Sequence, residues 1–194
     1  MNDDARTRLL RCICRYAYRE GDFLLASGKR STFYIDMRSA ALTGEGAALI
    51  GELITQCVRD RFPTAAAIGG MTLGADPLTT AAAIHASQDG GSPLAAFIVR
   101  KESKGHGAAG RIVRSGDLQD GADVVVLDDT VTTGGSTCDA VEVMRAHGFR
   151  VVGAVCVVDR VQGGEEALRA AGVPFVSLFR IDEIRHAFGT CASA

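Results

Sequence analysis

The chain has 194 residues, 47% of them hydrophobic, and a formal net charge of −2. That length fits one domain with a full core, the apolar content excludes a disordered chain, and the near-neutral balance argues against a dedicated nucleic-acid surface. No apolar run reaches ~18 residues, so no membrane span is expected. The charged start Met1-Asn-Asp-Asp-Ala-Arg6 does not read as a signal peptide. Six cysteines are scattered without a Cys-x-x-Cys pair. Neither a zinc site nor a redox motif is expected, and a cytoplasmic location follows.

In chain order, residues 3 to about 19 predict an amphipathic helix with Leu9 or Leu10, Ile13 and Ala17 on one face. Gly21 to Arg38 reads as a hairpin. A Ser-Gly turn carries Lys29 and Arg30, and Phe33, Ile35 and Met37 alternate after it. A small hairpin outside the main pattern suits a hood over a site, although this stretch alone also fits a solvated turn with two cations. Residues 43 to 61 predict a long helix with Ala47, Ile50, Ile54 and Val58 inward, followed by a strand at Ala65–Gly69. The loop Gly69-Gly-Met-Thr-Leu-Gly-Ala-Asp-Pro77 leads into a helix with Pro77 near its start. A loop after a parallel strand is where α/β sheets place ligand contacts, so a pyrophosphate could lie against its amides; a plain connection is the alternative.

Leu94–Val99 predicts the next strand. After it comes Arg100-Lys-Glu-Ser-Lys-Gly-His-Gly-Ala-Ala-Gly-Arg111, with Arg100, Lys101, Lys104, His106 and Arg111 among glycines. It is too polar to pack and reads as a loop that orders on an anion, against the competing reading of a basic surface loop.

The central stretch is Val124-Val-Val-Leu-Asp-Asp-Thr-Val-Thr-Thr-Gly-Gly-Ser-Thr137. Its apolar start predicts a strand buried on both faces. Asp128 and Asp129 follow, then a hydroxyl- and glycine-rich loop. Ser136 is expected to cap a helix whose inward face is Thr137, Ala140, Val141 and Met144. Strand, loop and helix N-terminus make an anion cradle of backbone N–H groups, suited to a phosphate monoester. An ordinary strand–loop–helix with solvated acids would look similar in outline, but this residue order is rarer. A paired carboxylate beside a phosphate site makes sense if the ligand also presents hydroxyls or a metal, as a phosphorylated ribose does. The Gly-x-x-x-x-Gly-Lys pattern of nucleotide triphosphatases is absent.

Arg150–Asp159 predicts another buried strand, ending in Asp159-Arg160. Gly163 and Gly164 turn the chain into a short helix, Pro174–Leu178 gives a last strand and Ile181–Phe188 a short helix. His85, His147 and His186 fall in helical stretches and read as surface or core fillers.

The central segment resembles the phosphoribosyl-pyrophosphate (PRPP) motif of type I phosphoribosyltransferases. Together with Ser27-Gly-Lys-Arg-Ser31, Tyr34-Ile-Asp36 and Arg100-Lys-Glu…Lys104-Gly-His-Gly107, it resembles the orotate phosphoribosyltransferases, in the family's order, over roughly residues 20 to 162. The resemblance implies an α/β fold, an open, mainly parallel sheet flanked by helices with a small N-terminal hood. It implies a single domain over 1–194, with the N-terminal helix and hood at about 1–42 and the α/β core at 43–194.

The implied reaction joins orotate to PRPP, giving orotidine 5′-phosphate and pyrophosphate in pyrimidine biosynthesis. By the resemblance, Lys104, His106, Asp128 and Asp129 are catalytic. PRPP binding falls to these four with Arg100, Lys101, Thr130, Val131, Thr132, Thr133, Gly134, Gly135 and Ser136. Orotate binding falls to Tyr34, Ile35, Thr132 and Arg160, with a structural pairing of Arg160 to Asp159 or Glu165 as the competing reading. Mg²⁺ is implied, held mainly by PRPP and without direct protein ligands. A homodimer is implied in which a flexible loop, about 101–114, reaches the neighbouring subunit, with no nucleic-acid or membrane partner. Two lysines of some members are replaced here by Ala26 and Leu73. The alternatives are a phosphoribosyltransferase for another base and a PRPP-sensing regulator on the same fold.

Overall fold

The computed structural model describes residues 4–24, 28, 30–102 and 108–191. The chain opens with α1 (Ala5–Tyr16), where the Asp4 carboxylate caps the helix by accepting from Thr7 N–H at 2.7 Å. Leu9, Cys12 and Ile13 on its inner face are buried. The helix is shorter than its periodicity predicts, because Tyr18–Leu24 is already strand β1. β1 pairs antiparallel with β2 (Arg30–Ile35), and this two-stranded sheet stands apart from the main one. Tyr18 is fully buried, stacks on Phe33 with centroids 5.9 Å apart, and meets Phe188 edge-on at 5.0 Å. Packing of that ring pulls the chain out of the helix and roots the hood. The alternation expected to run on to Met37 stops at Ile35. Asp36 N–H donates to the Ala17 carbonyl, and Met37 is buried where the chain enters α2 (Arg38–Ala41).

The core alternates helices and strands: α3 (Gly44–Arg61), β3 (Ala67–Met71), α4 (Ala75–Gln88), β4 (Ala95–Val99), a 3₁₀ turn at Ala108–Arg111, β5 (Ile112–Arg114), β6 (Asp123–Val131), α5 (Gly135–Ala146), β7 (Arg150–Asp159), α6 (Gly164–Ala170), β8 (Phe175–Arg180) and α7 (Ile181–Cys191). The strands form one six-stranded sheet in the order β5-β4-β3-β6-β7-β8, parallel except for β5.

The apolar run of β6 is continuous because both its faces are covered. Val125 and Leu127 join the cluster built with α1, α3, α4 and α7. Val124 and Val126 join the opposite cluster, which includes Ala140, Val141 and Met144 of α5. Alternation of side chains along the strand thus feeds two cores from one run.

Three further sequence-based expectations need correction. β6 does not stop before the two acids but continues through Asp128, Asp129 and Thr130 to Val131, paired with β7 as far as Asp159. The expected flexible stretch 101–114 is ordered at its far end, where Ile112–Arg114 is strand β5 against β4. The anchor there is Arg111, which donates to Asp139 of α5 with both terminal nitrogens, at 2.9 and 2.6 Å. Its Nε donates to the Arg100 carbonyl at 2.9 Å, and Arg100 N–H donates back to the Arg111 carbonyl at 2.7 Å. Arg111 is therefore engaged in structure rather than offered to an anion. Third, Ser136 does not cap α5: the capping position is Gly134, at φ +80°, with no side-chain cap bond. A side-chain cap would occupy N–H groups that the cradle needs for an anion.

Among the described residues, no helix is long and apolar enough to cross a membrane.

Candidate active site

The ligand face lies at the carboxyl ends of β3, β4, β6 and β7. The chain progresses outward from β3 to β4 on one side and from β6 to β7 on the other, so the β3/β6 junction is the sheet's switch point. A cleft of about 680 Å³ opens there. Its floor is Asp128, Asp129 and Thr130, with Thr132 and Ser136 at one end. Tyr34 and Ile35 of the hood, Arg100 and Lys101 after β4, and Arg160 after β7 form its walls. A smaller hollow of about 220 Å³ adjoins it, lined by Asp128 and by every residue from Thr130 to Thr137. The structure thus brings together every described residue that the resemblance implied. Lys104 and His106, like Lys29 and Ala26, lie outside the described residues.

The smaller hollow is the cradle. Gly134 takes the left-handed conformation that L side chains resist, and Gly164 leaves no room for a side chain, since a Cβ there would collide with Val131. The first N–H groups of α5 therefore face an open space sized for a phosphate.

Asp128 and Asp129 are neighbours on a strand, so their side chains leave on opposite faces. Asp128 turns toward α5, accepting from Thr137 Oγ1 at 2.6 Å and from Asp129 N–H at 2.9 Å. Asp129 turns toward the loop after β3, where a Cβ on Gly74 would stand 2.9 Å from its carboxylate. Burial pushes the Asp128 carboxyl up to about 6, opposed by its Thr137 hydrogen bond and reinforced by the Asp129 charge. Burial also raises Asp129, opposed by the Thr130 N–H and by Arg38. The two titrate as a pair. If the pair serves a ligand as anions, kcat/KM is expected to fall below an apparent pKa near 6 on the acid side, measured as a pH–rate profile under subsaturating substrate. A profile flat down to pH 5 would remove the pair from the rate-limiting chemistry.

Residues to which sequence reasoning gave no site role are Asp36, Met37, Arg38 and Glu102, which also line the cleft. Arg38 donates to both Asp36 oxygens at 2.8 Å and lies near enough to Asp129 to lower it. The sequence carries no periodic signal for this pair; only the resemblance brought Asp36 to notice. The loop after β3 contributes Met71, Thr72, Leu73 and Gly74 to the cleft. Thr72 Oγ1 donates to Asp76 at 2.7 Å, which ties that loop to the first turn of α4.

The competing pairing of Arg160 does not occur: Asp159 Oδ1 accepts from Val161 N–H at 2.8 Å, and Glu165 accepts from Arg169 at 2.8 Å.

A switch-point cleft, a phosphate cradle and an acidic pair between them define a site for a phosphorylated sugar. The sequence profile of the phosphoribosyl transferase domain matches residues 43–172. The chain belongs to the phosphoribosyl transferase family. Among its relatives, the orotate phosphoribosyltransferase of Thermosynechococcus vestitus is 43% identical over 181 residues, 93% of each chain. The crystal structure of the Mycobacterium tuberculosis orotate phosphoribosyltransferase with Fe(III) dicitrate superposes with a TM-score of 0.81 at 36% identity, covering 93% of this chain and 99% of that one. The same enzyme in complex with PRPP gives a TM-score of 0.77 at 34% identity, with the same coverage.

Proposed function

We infer that the protein is an orotate phosphoribosyltransferase, a pentosyltransferase that moves the 5-phosphoribosyl group from PRPP to orotate. The observation that carries this is the cleft, in which a phosphate cradle, two adjacent carboxylates and an arginine without a carboxylate partner among the described residues face one space. The C1′–O bond to diphosphate breaks, the C1′–N1 bond forms, and N1 of orotate gives up its proton. Positive charge grows on the ribose ring and negative charge on the leaving diphosphate, so catalysis is mainly electrostatic and positional.

In this reading the amides of Thr132–Ser136 hold the 5′-phosphate, with Thr130 and Val131 shaping the entry. Asp128 and Asp129 accept from the ribose hydroxyls and favour the cationic ring. Arg100, Lys101, Lys104 and His106 receive the diphosphate, and His106 can supply a proton to it. Tyr34, Ile35 and Thr132 frame the orotate, and Arg160 pairs its oxygens. The acidic pair lines a cleft with room for a Mg²⁺ that arrives with PRPP and is held mainly by it, without direct protein ligands. The ion would neutralise diphosphate charge when bound.

The whole chain, 1–194, is read as one domain, since α1 and hood residues share a core cluster with the sheet. Assembly of pyrimidine nucleotides from small water-soluble substrates suits a cytoplasmic location.

The test is loss of orotate absorbance with PRPP and Mg²⁺, followed with and without EDTA. Metal-dependent consumption supports the reading, and PRPP binding without consumption would favour another acceptor base or a regulator.

A homodimer with shared sites is supported by an apolar groove of about 870 Å³. Leu42, Leu73 and Ile84 line it and are 77, 67 and 52% exposed, which is unusual for leucine and isoleucine on a free surface. Leu73, Asp36 and Arg38 border both groove and cleft, so a second copy seated there would reach the site. If the loop at about 101–114 is shared, mixing an inactive Lys104→Ala protein with an inactive Asp129→Asn protein should regenerate about a quarter of wild-type activity through mixed dimers. No recovery after subunit exchange would place each site within one chain.

A further inference from the structure

Among the described residues, none forms a hydrogen bond with the guanidinium of Arg160. Among the described residues no carboxylate pairs with it, and its Nε is shut away from solvent with no partner. Its two acidic neighbours in sequence are engaged elsewhere, as described above. Burial alone pulls its pKa down, with no anion to offset that. A cation this costly to desolvate needs another source of attraction.

That source is an aromatic face. The Arg160 guanidinium carbon stands 5.0 Å from the ring centroid of Phe33, within reach of the ring's negative quadrupole. Phe33 is itself fixed. Tyr18 stacks on it, and Phe188 of α7 braces Tyr18 edge-on. A second cation, Arg185, lies 5.8 Å from the same centroid. From the backbone side, Val161 adopts φ +55°, a strained value for a β-branched residue. The buried Asp159 holds that turn by accepting the Val161 N–H. Arg160 is thus fixed at both ends, by a turn at its backbone and by a ring at its head.

We propose that Phe33 is a positioning residue for Arg160: its ring face holds the guanidinium in the cleft while leaving the terminal N–H groups of the fork free for the acceptor base. This rests on the reading of Arg160 as an orotate contact. A carboxylate partner would have held the side chain equally well, but it would compete with an acidic substrate for the same donors and would cancel the charge that attracts it. A ring attracts the cation and consumes no donor. The arrangement favours a planar base carrying its own carboxylate over a neutral one. The neighbours of Phe33 on the same strand, Tyr34 and Ile35, face the cleft, so one strand supplies both the wall of the base site and the support behind it.

The test is steady-state kinetics with orotate and PRPP varied separately in the full-length protein. Phe33→Leu keeps bulk and removes the quadrupole. It is expected to raise KM for orotate roughly five- to tenfold, with KM for PRPP and kcat within about twofold, and Phe33→Tyr should restore the wild-type value. Incorporating mono-, di- and trifluorinated phenylalanine at position 33 weakens the quadrupole at nearly constant shape, and KM for orotate should climb with each fluorine. This series decides the matter if Phe33→Leu does not fold. A flat series, or a Phe33→Leu variant that shifts both substrates equally, overturns the proposal. Arg160→Ala separates the two levels. If it leaves KM for orotate unchanged, the assignment of Arg160 itself fails; if it raises that KM while the fluorine series stays flat, only the role of Phe33 fails.

Discussion

Changing Asp128 and Asp129 together to asparagine is expected to lower kcat by about 10³-fold or more, and at the same time to make the ligand-free protein harder to unfold at neutral pH. Both effects come from one cause. Asp128 is 8% exposed and hydrogen-bonded to Thr137 and to the Asp129 amide, yet burial still dominates and lifts its carboxyl from 3.8 to about 6. A carboxyl whose pKa rises on folding binds more protons in the native state than in the unfolded chain between those two values. Its contribution is therefore fully stabilising below 3.8 and is lost as pH rises through about 6. At neutral pH the fold carries a buried anion whose cost is on the order of 2–3 kcal/mol.

Asparagine removes the charge, but it cannot accept from both Thr137 and the Asp129 amide as a carboxylate does, so a net gain of about 1 kcal/mol is expected. In catalysis the expected loss is larger, because on the proposed reading two anions face a developing ribosyl cation and stabilise the transition state more than the ground state. Urea melts at pH 5 and 7.5 check the first half, with the gain present at 7.5 and shrinking toward 5. A variant less stable than wild type at pH 7.5, or one retaining a tenth of wild-type kcat, would refute the account.

Gly70→Ala is expected to destabilise the fold severely. Gly70 lies in β3 between Ile98 of β4 and Leu127 of β6. A Cβ there would collide with the Leu127 backbone carbonyl and stand 2.9 Å from the Ala75 Cβ. Neither neighbour is a flexible tip. One is a ladder carbonyl, and the other begins α4, which follows the loop that brings Gly74 against Asp129. Relieving the clash means breaking the ladder at the switch point. The expected loss is about 4 kcal/mol or more, a large share of the ~5–15 kcal/mol that holds a domain together. Gly90→Ala is the control. Gly90 sits at φ +79° with open space around it, so only its backbone conformation resists, at about 1 kcal/mol. A Gly70→Ala protein with a wild-type urea midpoint would refute the steric argument.

The contrast between these sites reflects what a sequence carries. β6 was legible because burial on two faces leaves an unbroken apolar run, and the cradle because its glycines and threonines follow in order. The inward face of α5 was likewise legible at Thr137, Ala140, Val141 and Met144. What the sequence could not carry is contact between distant segments. β5 is three residues long, too short for a period of two to register, and it is fixed by pairing with β4 and by the Arg111–Asp139 bridge. The true end of α1 depends on Tyr18 finding Phe33 and Phe188. The cap of α5 at Gly134 rather than Ser136 goes with a left-handed turn that lies close against Gly164 of α6. The resemblance points to Arg160 at a strand end, but nothing near it in sequence announces the ring that supports it.

The divergence of Asp128 and Asp129 to opposite sides of the sheet sets a rule for where this chain tolerates changes in length. Adding or deleting one residue within β6 would exchange the partners of everything beyond it, turning one acid away from Thr137 and the other away from Gly74, while also everting the two apolar layers. The stretch between α4 and β4, residues 89–94, has no such bookkeeping of odd and even, so insertions there should pass with little effect. Natural variation in chain length among relatives should accordingly avoid 123–137 and gather at such connections.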